Sequence, residues 1–576
     1  MRHRGPDATG QWTSVDQAVG FGHNRLSIVD LDSRSNQPLF AGHVVLVFNG
    51  EVLNWKRLRD ELQSLGYSFS TTSDTEVIAK GYLAWGTGVF DRLHGMFALA
   101  LWDPVQQKVL LARDQCGIKP LYLRYTSRGV FFSSECAPLT GIEEVSPCAS
   151  VLDDLFSFGF PWSNQTLYNE VTSLEPGTVL SIDVSRPQLT SRAIDVARYN
   201  AEGGVSALQG LLRQSVSDHL VADVPVALAL SGGVDSSAIA ACAAREQQIH
   251  AFTFSFCDGD DPEVSHAIRV AQHLRMPHET GRIQVRDLDV FLRLVSSYAE
   301  SPIINPNLFA SFGLAAGLAE RGYRCMLIGE GSDELFAGYP WHQFAMKDLS
   351  PAELYLSYRE RRAQKVLGTI LRSPVDGPTH SHDERRSAAF IQDIQSASTP
   401  LQGFLANERR CQMQHAQLQR VDRMTMAHST EARVPYLYPP VIEFAKSLSD
   451  ASLVKSAGQE PRDKAILRQA LRDWLPVEVA NRPKFGKGGT LDLWSTPLFS
   501  DLSRVFARAC KSQEFAHARQ WLEPCIDWAK VNDGTFQAKE QLTLALTIYC
   551  AASQLDPTQS PRASQWRDAF GLSWHD

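Results

Sequence analysis

Two short acidic stretches and one lysine carry the first chemical signal. In LALSGGVDSSAIAA (228–241), Ser231, Gly232, Gly233, Ser236 and Ser237 surround Asp235. An apolar run ends there in a glycine turn that opens directly into a helical pattern. Free backbone N–H groups at such a turn, with the positive end of the helix dipole, form a cradle for phosphate oxygens. An aspartate among phosphates is repulsive unless a divalent cation lies between them, so Asp235 implies Mg²⁺. No G-K-[ST] follows, which excludes a Walker loop. In LIGEGSDELFAGY (327–339), Glu330, Asp333 and Glu334 follow a second apolar run. Alone, that stretch reads equally well as an ordinary loop and helix cap. Beside the first loop it becomes an acidic wall that can face the same metal–pyrophosphate group.

Two further stretches leave their readings open. DRMTMAHSTEARVPYL (422–437) places Asp422, Glu431 and Arg433 where neighbouring turns of one helix would carry them, with Pro435 ending it. Such charges beside Met and small residues are partly buried and need partners. They form a core ion-pair network or belong to a site that includes Lys464, in PRDKAILRQAL. FNGEVLNW (48–55) ends a strand at Asn49-Gly50 and presents Glu51. That is a hairpin, or a pocket that hydrogen-bonds a small amide or amino acid.

The elements that must hold these residues fall into two textures. Residues 1–145 alternate short apolar strands with turns (AVGFGHNRLSIVD, HVVLVFNGE, GMFALALWD, KVLLARD), with one helical stretch at DTEVIAKGYLAWG. The expected fold there is antiparallel β-sheets with packed helices, an α+β domain. Residues 146–203 are rich in Pro, Ser and Asn and read as a connector with a few short strands. From 204 to 576 the pattern is α/β. A helix (GVSALQGLLRQSVSDHL), a buried strand (VPVALAL), a helix and another strand (IHAFTFSF) come first. Helices then run to about 320, followed by a strand (CMLIGE) and mostly helix. Strand–helix alternation predicts a doubly wound parallel sheet, with nucleotide-binding loops at the carboxyl ends of its strands.

Composition narrows the partners. The net charge is −8 over 576 residues, with no basic stripe, so nothing draws the chain to nucleic acid or an anionic membrane. No apolar run approaches a bilayer span, and MRHRGPDATG has no signal-peptide core. Ten cysteines lie scattered without a C-x-x-C pair, which predicts reduced, buried thiols in a cytoplasmic protein. HSHD (380–383) lies in a polar stretch and reads as a surface loop.

Taken together, the SGGVDSS, GEGSDE and EARVP segments resemble the synthetase domain of the asparagine synthetase family. RHRGPD, GHNRLSIVD, NQPLF, FNGEVLN, SDTEV, GMFALALWD, ARDQCGIKPLY and SSE resemble, in order, the class II glutamine amidotransferase domain fused ahead of it. The resemblance implies an αββα first domain and ATP-dependent amidation of aspartate through β-aspartyl-AMP, with nitrogen from glutamine. It implies that Arg25, Asn49, Gly50, Glu51 and Asp74 hold glutamine, Arg25 at its carboxylate and Glu51 and Asp74 at its ammonium. Asn49 and Gly50 would be oxyanion donors. Leu230, Phe254, Ile328 and Gly329 would surround adenine and ribose. Ser231, Gly232, Gly233, Asp235, Ser236 and Lys464 would hold pyrophosphate, and Asp235 and Asp333 would bind Mg²⁺. Glu330, with Lys464 and Arg433, is implied in the acyl-transfer chemistry. The partners expected are small molecules, with a second copy of the chain as a candidate.

The resemblance also has departures. The family's glutaminase nucleophile is an amino-terminal cysteine, but here Met1 precedes RHRGPD directly, so the 576 residues are expected to use ammonia. The expected reason is a start codon set too late, by roughly thirty residues at ordinary element lengths. Tyr438 stands where the family usually has Asp, Ile328 where Ser is common, and Asn305 lies in SPIINPN on the expected acceptor side. These departures leave another carboxylate, as in a β-lactam synthetase or peptide cyclase of this fold, as the alternative acceptor.

Overall fold

The computed structural model describes all residues except 187, 196–202, 257–260, 302–306, 348, 363–368, 372–377, 456–462, 484–500, 556–569 and 576. Asn305 and Cys257 lie outside the described residues.

Among the described residues, eleven strands precede residue 196: β1 Ala8–Thr13, β2 Gly20–Arg25, β3 Leu39–Ala41, β4 Val44–Val52, β5 Gly95–Asp103, β6 Lys108–Arg113, β7 Tyr122–Thr126, β8 Gly129–Ser133, β9 Val171–Ser173, β10 Thr178–Asp183 and β11 Gln188–Ala193. All their pairings are antiparallel, and six of the strands form one sheet in the order β11-β10-β6-β5-β4-β3. The stretch expected as a connector thus adds β10 and β11 to the edge of this sheet. Side chains of successive strand residues point to opposite faces. On β4, Val44, Leu46 and Phe48 accordingly pack with the helices Trp55–Ser64 and Asp74–Trp85, while Val45 and Val47 pack with Phe21, Leu121 and Leu123 of the smaller sheets. The antiparallel sheets with packed helices that the alternation predicts are thus layered helix on sheet on sheet.

The second half holds β12 Val226–Ala229, β13 His250–Ser255, β14 His278–Val285, β15 Cys325–Leu327, β16 Glu431–Arg433 and β17 Phe570–His575, in the order β16-β15-β12-β13-β14-β17. The first five strands are mutually parallel and β17 closes one edge antiparallel to β14. Helices Gly204–His219, Val234–Glu246, Pro262–Leu274 and Asn307–Glu320 are among those packed around this sheet.

Several sequence expectations are corrected. Asp422 does lie on a helix, Gln419–Met426, but Glu431 and Arg433 lie on β16. Ser429 adopts φ 53°, which breaks the helix, and pairing of Glu431–Arg433 with β15 makes the segment a strand. HSHD lies within the helix Pro378–Ser396 rather than a loop, and Asp383 there accepts from Arg359 (2.7 Å) and Tyr355 (2.7 Å). The helical run expected up to 320 contains β14, whose polar residues conceal it.

The two halves share a core. Ile28, Leu53, Met96, Cys116 and Ile118 of the first half belong to the same apolar cluster as Leu228, Leu327 and Leu437 of the second. No helix among the described residues is long and apolar enough to cross a membrane. The cysteines among them are unpaired and buried.

Candidate active site

Adjacent parallel strands β12 and β15 end side by side, so the two glycine-rich loops that follow them meet. Gly232 adopts φ 65°, and a Cβ there would lie 2.5 Å from the Ala267 nitrogen. Only glycine allows the loop to lie this close to the helix Pro262–Leu274. Ser236, in the first turn of the next helix (Val234–Glu246), has its hydroxyl 3.0 Å from that of Ser231. Asp235, in the first turn of the same helix, accepts from Lys464 Nζ at 2.6 and 2.7 Å. The other side of that ammonium meets Asp333 Oδ1 at 2.5 Å. Burial opposes the charge on Lys464, but Asp235 and Asp333 together hold its ammonium above the usual lysine range. Lys464 sits at φ 51° at the start of its helix, and Gly338 leaves the space for it.

Four residues unmarked by the sequence reading complete this centre. Ser332 donates to Asp235 Oδ1 at 2.6 Å, and Tyr436 OH donates to the Asp235 carbonyl at 3.0 Å. Arg482, buried, donates to the Gly232 carbonyl at 2.9 Å. Arg420, also buried, pairs with Glu330 and leaves Nε and Nη1 without hydrogen-bond partners. Ser332 and Tyr436 sit inside motifs that were read. Arg420 and Arg482 have no local pattern, because their roles exist only after folding.

The helix carrying Arg420 follows a π-helical segment, Arg409–Leu418, itself continuous with Pro400–Glu408. Wider turns of this kind re-aim side chains and recur at functional sites. Arg409 donates to the Glu334 carbonyl at 3.2 Å, and Gln417 to Tyr339 OH at 3.3 Å. Tyr339 OH in turn donates to Glu334 Oε1 at 2.7 Å. Burial first, then the Asp333 charge, pushes the Glu334 carboxyl up to about 8.

Leu230 is buried beside the loop, its nitrogen donating to the Phe252 carbonyl at 2.9 Å. Ile328 is buried with its nitrogen on the Arg433 carbonyl at 3.0 Å, and Gly329 lies against Asp235 and Ser236. Phe254 is wedged against Gly281, Gly317 and Trp574, on the sheet face covered by Asn307–Glu320. Tyr438 is not beside these loops. Its hydroxyl donates to Asp218 at 2.8 Å and its ring meets His94 and His219, at the contact between the two halves. Tyr436, two residues earlier, points to Asp235, and Tyr438 points away.

A second set lies in the amino-terminal half. Gly50 has φ 141°, and a Cβ would fall 1.9 Å from the Met96 carbonyl oxygen. Asn49 Nδ2 is 3.4 Å from Ser134 Oγ. Asp74 accepts from the Val52 nitrogen at 2.9 Å, and burial lifts its carboxyl to about 6. Glu51 is buried beside it, and burial and then Asp74 push its carboxyl well above the carboxylate range, against the pull of Arg433. Glu51 Oε2 meets Arg433 Nη2 at 3.0 Å, but Oε1 has no hydrogen-bond partner. A buried acceptor left bare beside a second carboxylate is suited to a cationic ligand group. Arg25 gives its donors to Asp32 O and Asn36 Oδ1 (both 2.9 Å) and to Val29 O and Asp30 O, so it shapes the 29–36 loop. Arg433 is fully buried between the halves, and touches Glu431 and Glu51 rather than the glycine loops.

A layered β domain of amidotransferase type joined to a parallel sheet with paired phosphate-type loops defines a two-domain, nitrogen-transferring synthetase class. Residues 207–549 match the asparagine synthase family model, and residues 1–192 match the glutamine amidotransferase domain. The chain is 33% identical to a putative glutamine-hydrolyzing asparagine synthetase of Mycobacterium tuberculosis (strain ATCC 25618 / H37Rv), over 84% of this chain and 82% of that protein. It is 27% identical to glutamine-hydrolyzing asparagine synthetase 1 of Bacillus subtilis (strain 168), over 89% and 86%, and 29% identical to asparagine synthetase B of Escherichia coli (strain K12), over 84% and 76%. The chain belongs to the asparagine synthase family, whose members are ATP-dependent carbon–nitrogen ligases.

Proposed function

We propose that this chain converts aspartate to asparagine. The side-chain carboxylate is activated by ATP as β-aspartyl-AMP with loss of pyrophosphate, and ammonia then displaces AMP. The observation that carries this reading is the convergence of Asp235 and Asp333, from two loops, on the single ammonium of Lys464. Two carboxylates of this kind fit Mg²⁺, which is held by one or two protein carboxylates together with substrate phosphates. Among the described residues no group of three His, Cys, Asp or Glu forms a fuller cage, consistent with that mode. Mg²⁺ bound at Asp235 and Asp333 would supply charge neutralisation of the departing pyrophosphate.

The protein's own groups do the rest. The loop amides about Gly232 and Gly233 and the Lys464 ammonium stabilise the negative charge that develops on pyrophosphate. Glu330, held by Arg420, is placed to take a proton as ammonia attacks the acyl carbon. Asn49, Gly50, Glu51 and Asp74 form the glutamine pocket, with the bare Glu51 Oε1 awaiting the α-ammonium, and Arg25 holds the 29–36 loop in shape. The shared apolar cluster around Ile28, Met96, Ile118 and Leu327 keeps the contact between the halves dry.

The test is pyrophosphate release with ATP, Mg²⁺, ammonium chloride and a panel of carboxylates. Aspartate should yield AMP, pyrophosphate and asparagine in equal amounts. Asp235→Asn should lower pyrophosphate release by at least about 10²-fold, the scale for losing an electrostatic catalytic group. Turnover of another carboxylate in place of aspartate would overturn the acceptor assignment.

A further inference from the structure

Arg433 belongs to both halves of the molecule through different atoms. Its Nη2 holds Glu51 Oε2 at 3.0 Å, its Nη1 donates to the carbonyls of His219 and Val221 (both 2.7 Å), and its Nε donates to Glu431 at 3.1 Å. Its backbone carbonyl accepts from the Ile328 nitrogen at 3.0 Å, and β15 pairs with β16 immediately before that point. Ile328 leads within five residues to Gly329, Glu330 and Asp333. In the other direction the chain runs from Arg433 through Pro435 to Tyr436, whose hydroxyl holds the Asp235 carbonyl. One residue therefore reaches a glutamine-pocket carboxylate with its side chain and the strand end before the Glu330 loop with its backbone, while Tyr436, three residues on, reaches the other loop.

We propose that Arg433 is the positioning residue that couples the amine end of the amidotransferase pocket to the acyl-transfer loop carrying Glu330. The inference rests on the function proposed above. Glu51 has two oxygens with different fates: Oε2 is committed to Arg433, and Oε1 is bare. An α-ammonium arriving at Oε1 shares the carboxylate with Arg433 and weakens its hold on that guanidinium. The fork onto His219 and Val221 keeps Arg433 in place, so the change falls on its orientation and on β16, which sets Ile328 and hence Glu330. Coupling of this kind is reciprocal between the sites and commonly amounts to a factor of about 5–150 in affinity. A shift of about 1 Å at a reacting group costs about 10²-fold in rate, so a small movement of β16 suffices.

The experiment is a cycle of Glu51→Gln, Arg433→Lys and the double variant, measured as ammonia-dependent pyrophosphate release with ATP, Mg²⁺, aspartate and ammonium chloride. No glutamine chemistry occurs in that assay. Glu51→Gln is nevertheless expected to lower kcat about tenfold while the KM for ATP stays within about twofold, and the double variant should be no slower than the worse single variant. Arg433→Lys, which keeps the charge toward Glu51, should retain more activity than Arg433→Met. Loosened packing alone would raise the KM for ATP and lower the melting temperature in step with kcat. A wild-type kcat in Glu51→Gln, or losses that multiply in the double variant, overturns the coupling. Absence of pyrophosphate release from the unaltered protein with every carboxylate would instead overturn the function on which the coupling rests.

Discussion

Glu334 shows how far burial moves a single group away from what its sequence context suggests. It lies in the same acidic run as Asp333, yet Asp333 meets Lys464 while Glu334 is turned inward to accept from Tyr339 and to face Glu408 and Glu330. Burial and then the Asp333 charge push its carboxyl up to about 8, well above an unfolded glutamate. A carboxyl whose folded value is raised binds its proton more tightly when native. Its contribution to stability is therefore largest below the unfolded value and is lost as pH rises through the window from about 4.3 to about 8. Glu334→Gln removes that dependence. The variant should gain thermal stability relative to the unaltered protein as pH rises from 5 to 8, by at most about 1.4 kcal/mol per pH unit. Melting temperatures of both proteins at pH 5, 6.5 and 8 measure the gap. A gap that does not change with pH would mean that Glu334 is ionised throughout.

Elements were legible where chemistry and local pattern coincide, and hidden where pairing partners decide. SGGVDSS and GEGSDE could be read because glycines, hydroxyls and carboxylates fall within a few residues of a strand end, and β12 and β15 lie next to each other as that reading requires. β16 was read as helix because three residues carry no period, and only their register with β15 makes them a strand. β14 was missed because HETGRIQV buries just Gly281 and Ile283 fully. β17 depends wholly on β14, which it covers from Thr280 to Val285. Its Trp574 meets Phe254 with ring centroids 5.0 Å apart, and Arg321 covers the indole at 4.3 Å. Removing residues 570–576 should expose the β14 edge and the Phe254 ring together. Exposed strand edges and apolar faces promote association. Light scattering at increasing protein concentration should show self-association of the shortened chain, with a lower melting temperature. A monodisperse, equally stable product would show that β17 contributes nothing to the sheet.

At the scale of the whole molecule, the halves are joined by buried charge as well as by the shared apolar cluster. Arg4 pairs with Asp422 at 2.8 Å, Lys119 with Glu431 at 3.2 Å, Arg433 with Glu51 at 3.0 Å, and Arg423 with Glu300 at 2.6 Å and Glu135 at 3.4 Å. All of these except Arg423–Glu300 cross from one half to the other. Burying such charges is costly, and the contact holds only while each has its partner. Lys119 is the sharpest probe, since it is 2% exposed and also lies 3.8 Å from Asp422. Lys119→Met would leave Glu431 to Arg433 alone and Asp422 to Arg4 alone, so the loss should stay below the about 3–5 kcal/mol of a buried charge left with no partner. Because the shared core makes the halves unfold together, calorimetry should give one cooperative endotherm for the unaltered chain. In Lys119→Met the endotherm should move down and split, since one buried ionic contact between the halves is then missing. Two separate endotherms in the unaltered chain, left in place by Lys119→Met, would mean that the halves are independent and that the ionic contact carries no cohesion.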